Sequence, residues 1–178
     1  MVIFVGGLIG TGKTSLAKAL SEKLGIYYYD VDLVKKMVYP TDPNYEYNLT
    51  NNIPFSDETR RKTFNQVVSD FARLSKEHNN IIVDETLHKK TLRQILFDGA
   101  EKYFGKYIIV LVKADESIVK DRLTKDQREG HLLKDSFGMY LSLKKQFEDF
   151  ENVDIVFENN TSVTESIEKL AKLVQEKL

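Results

Sequence analysis

The ten residues 6–15, GGLIGTGKTS, restrict the fold of this chain more than any other stretch. The apolar run Val2-Ile3-Phe4-Val5 precedes them and reads as a buried strand. A helical pattern follows, with Leu16, Ala17, Leu20 and Leu24 on one face and Gly25 placed to end it. Between strand and helix, Gly7 to Thr14 fit the pattern G-x-x-x-x-G-K-[ST]. Glycines at that spacing let the backbone curl until successive N–H groups point inward. The product is an anion cradle at a helix N-terminus, where the helix dipole also favours negative charge. Gly7, Ile9, Gly10, Thr11, Gly12, Lys13, Thr14 and Ser15 are therefore the expected phosphate-binding residues. Lys13 is expected to reach the β- and γ-phosphates of a nucleoside triphosphate, and Thr14 to ligate Mg²⁺.

The remaining pattern completes an α/β architecture. Further strands are predicted at Ile26–Tyr29, at Ile81–Val83 ending in Asp84-Glu85, at Tyr107–Val112 and at Asp154–Phe157. Helices are predicted between them. Ser56 or Asp57 opens a long one carrying Phe64, Val67, Val68 and Phe71. Another carries Leu92, Ile95, Leu96, Ala100 and Tyr103. Charged helical segments run from about Asp115 to Asp149 with a break near Gly130, and Ser162 with Glu165 forms a capping box for the last helix. The strands are continuous apolar runs, which predicts a parallel sheet covered on both faces. Ligands of such sheets bind at the carboxyl ends of the strands.

With 178 residues the chain suffices for one domain, residues 1–178. The stretch VYPTDPNYEYNLTNNIPF holds all three prolines and reads as an excursion of loops and short turns. With its flanks, residues 38–62, it is expected on the substrate side. The chain has no cysteine, which excludes disulfides, thiolate catalysis and Cys-based zinc sites. Its formal net charge of -1 gives no global drive toward nucleic acid. No apolar run is long enough to cross a bilayer. The first strand begins at Val2, leaving no room for a targeting peptide, so a cytoplasmic location is expected, with no membrane contact and no obligate protein partner.

Carboxylates at strand ends refine the chemistry. If the chain stays extended through Asp30-Val31-Asp32, both aspartates face the same side. Asp32 is then a candidate base for an attacking hydroxyl, and Asp30 a candidate for organising Mg²⁺. The alternative is a polar strand exit in which Asp32 caps the next short helix. Ile81-Ile82-Val83-Asp84-Glu85 has the apolar-strand-then-aspartate form that places Asp84 at Mg²⁺, with Thr86 on the same face and Glu85 turned away. Phosphoryl transfer also needs cations. Residues 120–136, KDRLTKDQREGHLLKDS, are the candidate mobile lid, with Arg122 and Arg128 as its catalytic candidates and Gly130 as a hinge. Arg60, Arg61 and Arg93 lie where an acceptor can be gripped. His78, His88 and His131 show no metal-ligand spacing and are read as surface residues.

On these residues the chain resembles the small P-loop kinases of the AAA-domain, zeta-toxin and polynucleotide-kinase-like group. More distantly it resembles shikimate, gluconate and nucleoside-monophosphate kinases. GGLIGTGKTSLAKALSEKLG resembles the P-loop and first helix, YYDVDLVKK the second strand end, IIVDETLHKKTLR the segment after the third strand, VLVKADESIVKDRL the approach to the lid, and VFENNTS the loop bordering the adenine. The resemblance implies a three-layer αβα P-loop NTPase fold with a five-stranded parallel sheet and a mobile lid. It implies ATP as phosphoryl donor, with Asp32 activating the acceptor hydroxyl and roles for Asp84, Thr86, Arg93 and Arg122. Asn159 and Asn160 are implied beside the adenine. Lys35 stands where the group often has an arginine for a substrate phosphate, and Asp126 where many members carry a second lid arginine. The expected function is an ATP-dependent kinase acting on a hydroxyl of a small molecule or of a nucleotide or polynucleotide end. The alternatives are a nucleoside-monophosphate kinase, or a nucleotide-dependent switch without an acceptor.

Overall fold

The computed structural model describes residues 1–51, 53–125 and 136–178. The five strands are β1 (Val2–Gly6), β2 (Tyr27–Tyr29), β3 (Ile81–Glu85), β4 (Tyr107–Lys113) and β5 (Ile155–Glu158). They form one parallel sheet in the order β2-β3-β1-β4-β5. The first strand is therefore central, and the loop leaving it emerges with strand ends on either side. Parallel strands need crossovers, and helices supply them: α1 (Lys13–Leu24), α2 (Val31–Val38), α3 (Tyr45–Asn51), α4 (Asp57–Glu77), α5 (Lys90–Phe104), α6 (Glu116–Lys125) and α7 (Ser136–Lys145), with α8 (Val163–Gln175) following β5.

The two faces of the sheet bury separate cores. Phe4, Val83, Phe71, Leu74, Leu96 and Phe97 lie on the side of α4 and α5. Ile3, Val5, Leu16, Leu20, Ile82, Val110, Leu170 and Val174 lie on the side of α1 and α8. Each fully buried Leu, Ile or Phe among them contributes about 1.5–3 kcal/mol of transfer free energy. The alternation of adjacent strand residues between cores decides which site side chains face which helices. Gly99 permits α4 and α5 to approach closely, because a Cβ there would lie 2.5 Å from a methyl of Val68.

Local signals operate as the residue types dictate. Gly25 takes the left-handed conformation that ends α1. The side chain of Ser56 caps α4, and Ser162 with Glu165 forms the expected reciprocal box at α8. Two departures bear on function. β2 stops at Tyr29, and Asp30 turns the chain at once into α2, its carboxylate accepting from the N–H of Asp32. The extended Asp-x-Asp strand end is thus replaced by a helix N-terminus, with Asp30 rather than Asp32 as its cap. The excursion is also more ordered than its prolines imply. It contains a 3-10 turn at Tyr39–Thr41 and the two-turn helix α3, tied down by Tyr39 and Tyr45 against Phe55 and by Thr59 donating to Asp42. The expected lid falls largely on residues 126–135, so Arg128, Gly130 and His131 lie outside the described residues.

Candidate active site

At the carboxyl end of β1 the chain passes through Gly7, Gly10 and Gly12, with φ of 146°, 77° and 86°. At Gly7 and Gly12 a side chain is excluded twice, by φ and by space. A Cβ on Gly12 would lie 2.4 Å from the amide nitrogen of Asn159, and one on Gly7 2.4 Å from the carbonyl oxygen of Val112. Thr11 closes the loop by donating its hydroxyl to the Leu8 carbonyl at 2.8 Å. The N-terminus of α1 receives no side-chain cap. Its first-turn N–H groups are therefore left to an external acceptor, as an anion cradle requires. Ile9 and Gly10 are half-buried in the loop, and Ser15 is exposed in the first turn of α1.

Register brings the carboxylates alongside. Asp84 lies opposite Val5, and Glu85 opposite Gly6. Asp84 points to the α1 face, where its Oδ2 accepts from the Thr14 hydroxyl at 2.6 Å. Its Oδ1 accepts from the Tyr28 hydroxyl at 2.5 Å. Glu85 points the other way, as the alternation predicts, but into a second set of charges. It is 6% exposed, and its Oε2 lies 2.6 Å from the Lys35 ammonium, which is 2.9 Å from Asp32 Oδ1. Its Oε1 accepts from the Thr86 N–H at 2.8 Å. Burial alone would raise the Glu85 carboxyl, but Lys35 more than reverses this and holds it below its ordinary value. Lys35 sits well above its ordinary value: burial opposes the charge, and Glu85, Tyr39 and Asp32 overcome that opposition. Lys35 also lowers Asp32, which is ionised at neutral pH. Withdrawal from water lowers Lys13, against the pull of Asp84, Glu85 and Asp32.

Several expected residues have other occupations. Asp30 spends its carboxylate on capping α2. Lys35 spends its ammonium on two carboxylates, leaving it poorly placed to grip a substrate anion. Arg93 is 3% exposed and donates to the carbonyls of Leu87, Glu148 and Asp149, its guanidinium 4.0 Å over the Phe150 ring. It fastens the chain after α7 to the start of α5. Asn159 is 1% exposed, and its amide donates to the Thr11 carbonyl at 2.8 Å, so it buttresses the P-loop. Asn160 accepts from the N–H of Asp115. Arg122 reaches from α6 to the carbonyls of Thr11, Asn159 and Thr161, which places its guanidinium beside Gly12.

On α4, Arg60 donates through Nε to the Phe55 carbonyl, and its Nη1 lies 3.1 Å from Nε2 of His88. His88 is 3% exposed, a correction to its reading as a surface residue. Burial, followed by the Arg60 charge, lowers it to about 4, so the ring is neutral at pH 7 and can accept from Arg60. It sits next to Leu87, which holds a φ of 56°. Arg61 is exposed on α4, Thr86 is buried at the end of β3, and His78 stacks on Tyr27. Glu85, His88 and Tyr28 were not among the expected site residues. For Glu85 the alternation gave its direction but not its partner. For Tyr28 the only signal is an aromatic opposite the strand that ends in aspartate.

The described residues fit a divalent cation with a polyphosphate: an uncapped helix N-terminus, a lysine, and a hydroxyl and a carboxylate already touching. No helix among the described residues is long and apolar enough to cross a membrane.

No curated protein matches the chain in sequence. Among solved structures, a sugar kinase from Janibacter sp. HTCC2649 is similar over 98% of this chain and 94% of its own, at 19% identity and a TM-score of 0.75. A gluconokinase from Sinorhizobium meliloti 1021 is similar over 98% and 91%, at 19% identity and a TM-score of 0.73. A shikimate kinase from Acinetobacter baumannii, in complex with shikimate, is similar over 99% and 93%, at 13% identity and a TM-score of 0.62. These likenesses establish a shared α/β P-loop fold. The model of one family, described as AAA domain, matches residues 3–137, from the first strand into α7, and the chain belongs to that family, AAA_18.

Proposed function

We propose that the chain, acting as one domain over residues 1–178, is an ATP-dependent kinase. It transfers the γ-phosphoryl group to a hydroxyl of a small molecule or of a nucleotide or polynucleotide end. The carrying observation is the pairing of Thr14 with Asp84 beside the uncapped start of α1, with Asp32 and its lysine at the next strand end. The similar sugar, gluconate and shikimate kinases support the same reaction class.

In this reading the glycine loop and Lys13 bind the triphosphate, and Arg122 adds positive charge beside Gly12. Thr14 and Asp84 would hold Mg²⁺, which screens the phosphate charges when bound. Asp32 orients the acceptor hydroxyl and takes its proton as the new O–P bond forms and the bond to the β-phosphate oxygen breaks. Because Lys35 lowers Asp32, the carboxylate is a weak base, suited to accepting the proton late in transfer, when the hydroxyl oxygen has become acidic. Arg60, held by Phe55 and His88, is the acceptor-side cation, with Thr86 and Arg61 at the margins. Arg128 keeps its proposed catalytic role on the lid.

The test is transfer from γ-labelled ATP to a panel of sugars, hydroxy acids, nucleosides, nucleoside monophosphates and 5′-hydroxyl oligonucleotides. Asp32→Asn should lower transfer by at least about 100-fold, while ATP affinity stays within about twofold. Full transfer by the variant would overturn the role of Asp32. Nucleoside-monophosphate turnover unchanged by the variant would favour the monophosphate-kinase alternative.

A further inference from the structure

Three consecutive tyrosines fill β2, and each does something different. Tyr27 stacks on His78 at 4.3 Å. Tyr29 is buried in the α4 and α5 core and donates to Asp70. Tyr28 faces the α1 side, opposite Ile82, so Asp84 is its diagonal neighbour two residues along the adjacent strand. That diagonal is within reach of a long aromatic side chain. The Tyr28 hydroxyl meets Asp84 Oδ1 while the Thr14 hydroxyl meets Oδ2. Each oxygen of the carboxylate is held by a separate hydroxyl, one from a helix and one from a strand. The Lys18 ammonium lies 5.5 Å over the Tyr28 ring from α1.

We propose that Tyr28 is a positioning residue for divalent-cation binding, fixing the plane of the Asp84 carboxylate before the cation arrives. The proposal rests on the nucleotide-binding half of the kinase reading and does not depend on the acceptor. A carboxylate held through one oxygen rotates about its terminal torsion, whereas one held through both presents the same unused lone pairs at all times. The tyrosine is a donor only: burial, then the Asp84 charge, raises its pKa far above the working range. A neutral donor orients Asp84 without cancelling the charge that attracts the cation. Groups that support a metal ligand in this way typically matter by 10- to 100-fold in affinity.

The experiment is a Mn²⁺ titration followed by electron paramagnetic resonance on the full chain with saturating ADP, for wild type, Tyr28→Phe and Asp84→Asn. ADP affinity in EDTA is measured in parallel by calorimetry. Tyr28→Phe keeps the ring, its packing and the Lys18 contact, and should melt within a few degrees of wild type. It should bind Mn²⁺ about 10-fold more weakly, with metal-free ADP affinity unchanged. Asp84→Asn should lose more. Mn²⁺ affinity within twofold of wild type, or tighter, would overturn the proposal. So would an equal loss of ADP affinity with and without metal, which would mark Tyr28 as a support for the loop. A wild-type protein that binds no Mn²⁺ with ADP overturns both this proposal and the kinase reading. Tight, Tyr28-dependent Mn²⁺ binding with no acceptor ever labelled leaves this proposal standing while the kinase reading fails.

Discussion

In the proposed function, the nucleotide side and the acceptor side are built by different strategies. The phosphate loop proposed for the nucleotide is itself local, strand, loop and helix N-terminus following one another from Val2 to Leu24, and only its supports Asp84, Arg122 and Asn159 come from afar. The proposed acceptor side is collected from afar. Asp32 and Lys35 come from α2, Arg60 from α4, Glu85 from the end of β3 and His88 from the turn before α5. The first depends on backbone shape and the second on charges brought together by packing. A local cradle fails when a single atom does not fit. A collected wall fails when one member of a charge set is left without its partner.

The largest effect should come from Gly12→Ala, which tests the backbone half of this contrast. The new methyl carries both the strain of a positive φ and a 2.4 Å approach to Asn159. Nucleotide affinity, read by calorimetry, should fall by more than about 100-fold, at a strain cost of about 1–3 kcal/mol. Affinity within threefold of wild type would show that the loop tolerates side chains and would remove the contrast. Glu85→Gln comes next. It leaves the half-buried Lys35 ammonium with Asp32 alone and should destabilise the fold by about 1–3 kcal/mol in urea unfolding. A double variant that also carries Lys35→Met should recover much of that loss. Failure to recover would mean that Glu85 matters for something besides its lysine.

The last effect sharpens the proposed acceptor side through pH. His88 titrates at about 4 when folded and near its ordinary 6.5 when unfolded. Below pH 6.5 the unfolded chain therefore binds the extra proton, and stability falls with pH until about 4. The loss should be about 3 kcal/mol for this group. His88→Gln should flatten the stability profile between pH 6.5 and 4, while the loss due to Glu85, whose folded pKa is depressed, begins only below its ordinary value of 4.5. An unchanged slope in the variant would locate the acid sensitivity elsewhere.

This division also explains what could be read from the chain alone. The parallel sheet, the phosphate loop, the Thr14 and Asp84 pair and the capping box are all carried by residues near in sequence or by strict strand alternation. The abrupt turn at Asp30 was less legible, because an aspartate after a strand fits an extended exit and a helix cap equally well. Arg93 was read as a ligand contact from its place after Thr86 and from the family resemblance, and Asn159 from the resemblance alone. Only the packed structure shows that carbonyl groups already occupy them. The Glu85–Lys35 pair spans two elements separated by α4, and neither residue signals the other along the chain.

Gly99 acts as a ruler for the wall proposed to hold the acceptor. Arg60 rides on α4 and His88 on the turn that leads into α5, so the gap between the two helices sets the distance between the two side chains. A methyl group at position 99 is a wedge set inside α5, against Val68 of α4. It would be felt first where the guanidinium meets the imidazole, as a change in which acceptors fit and not in how ATP is held.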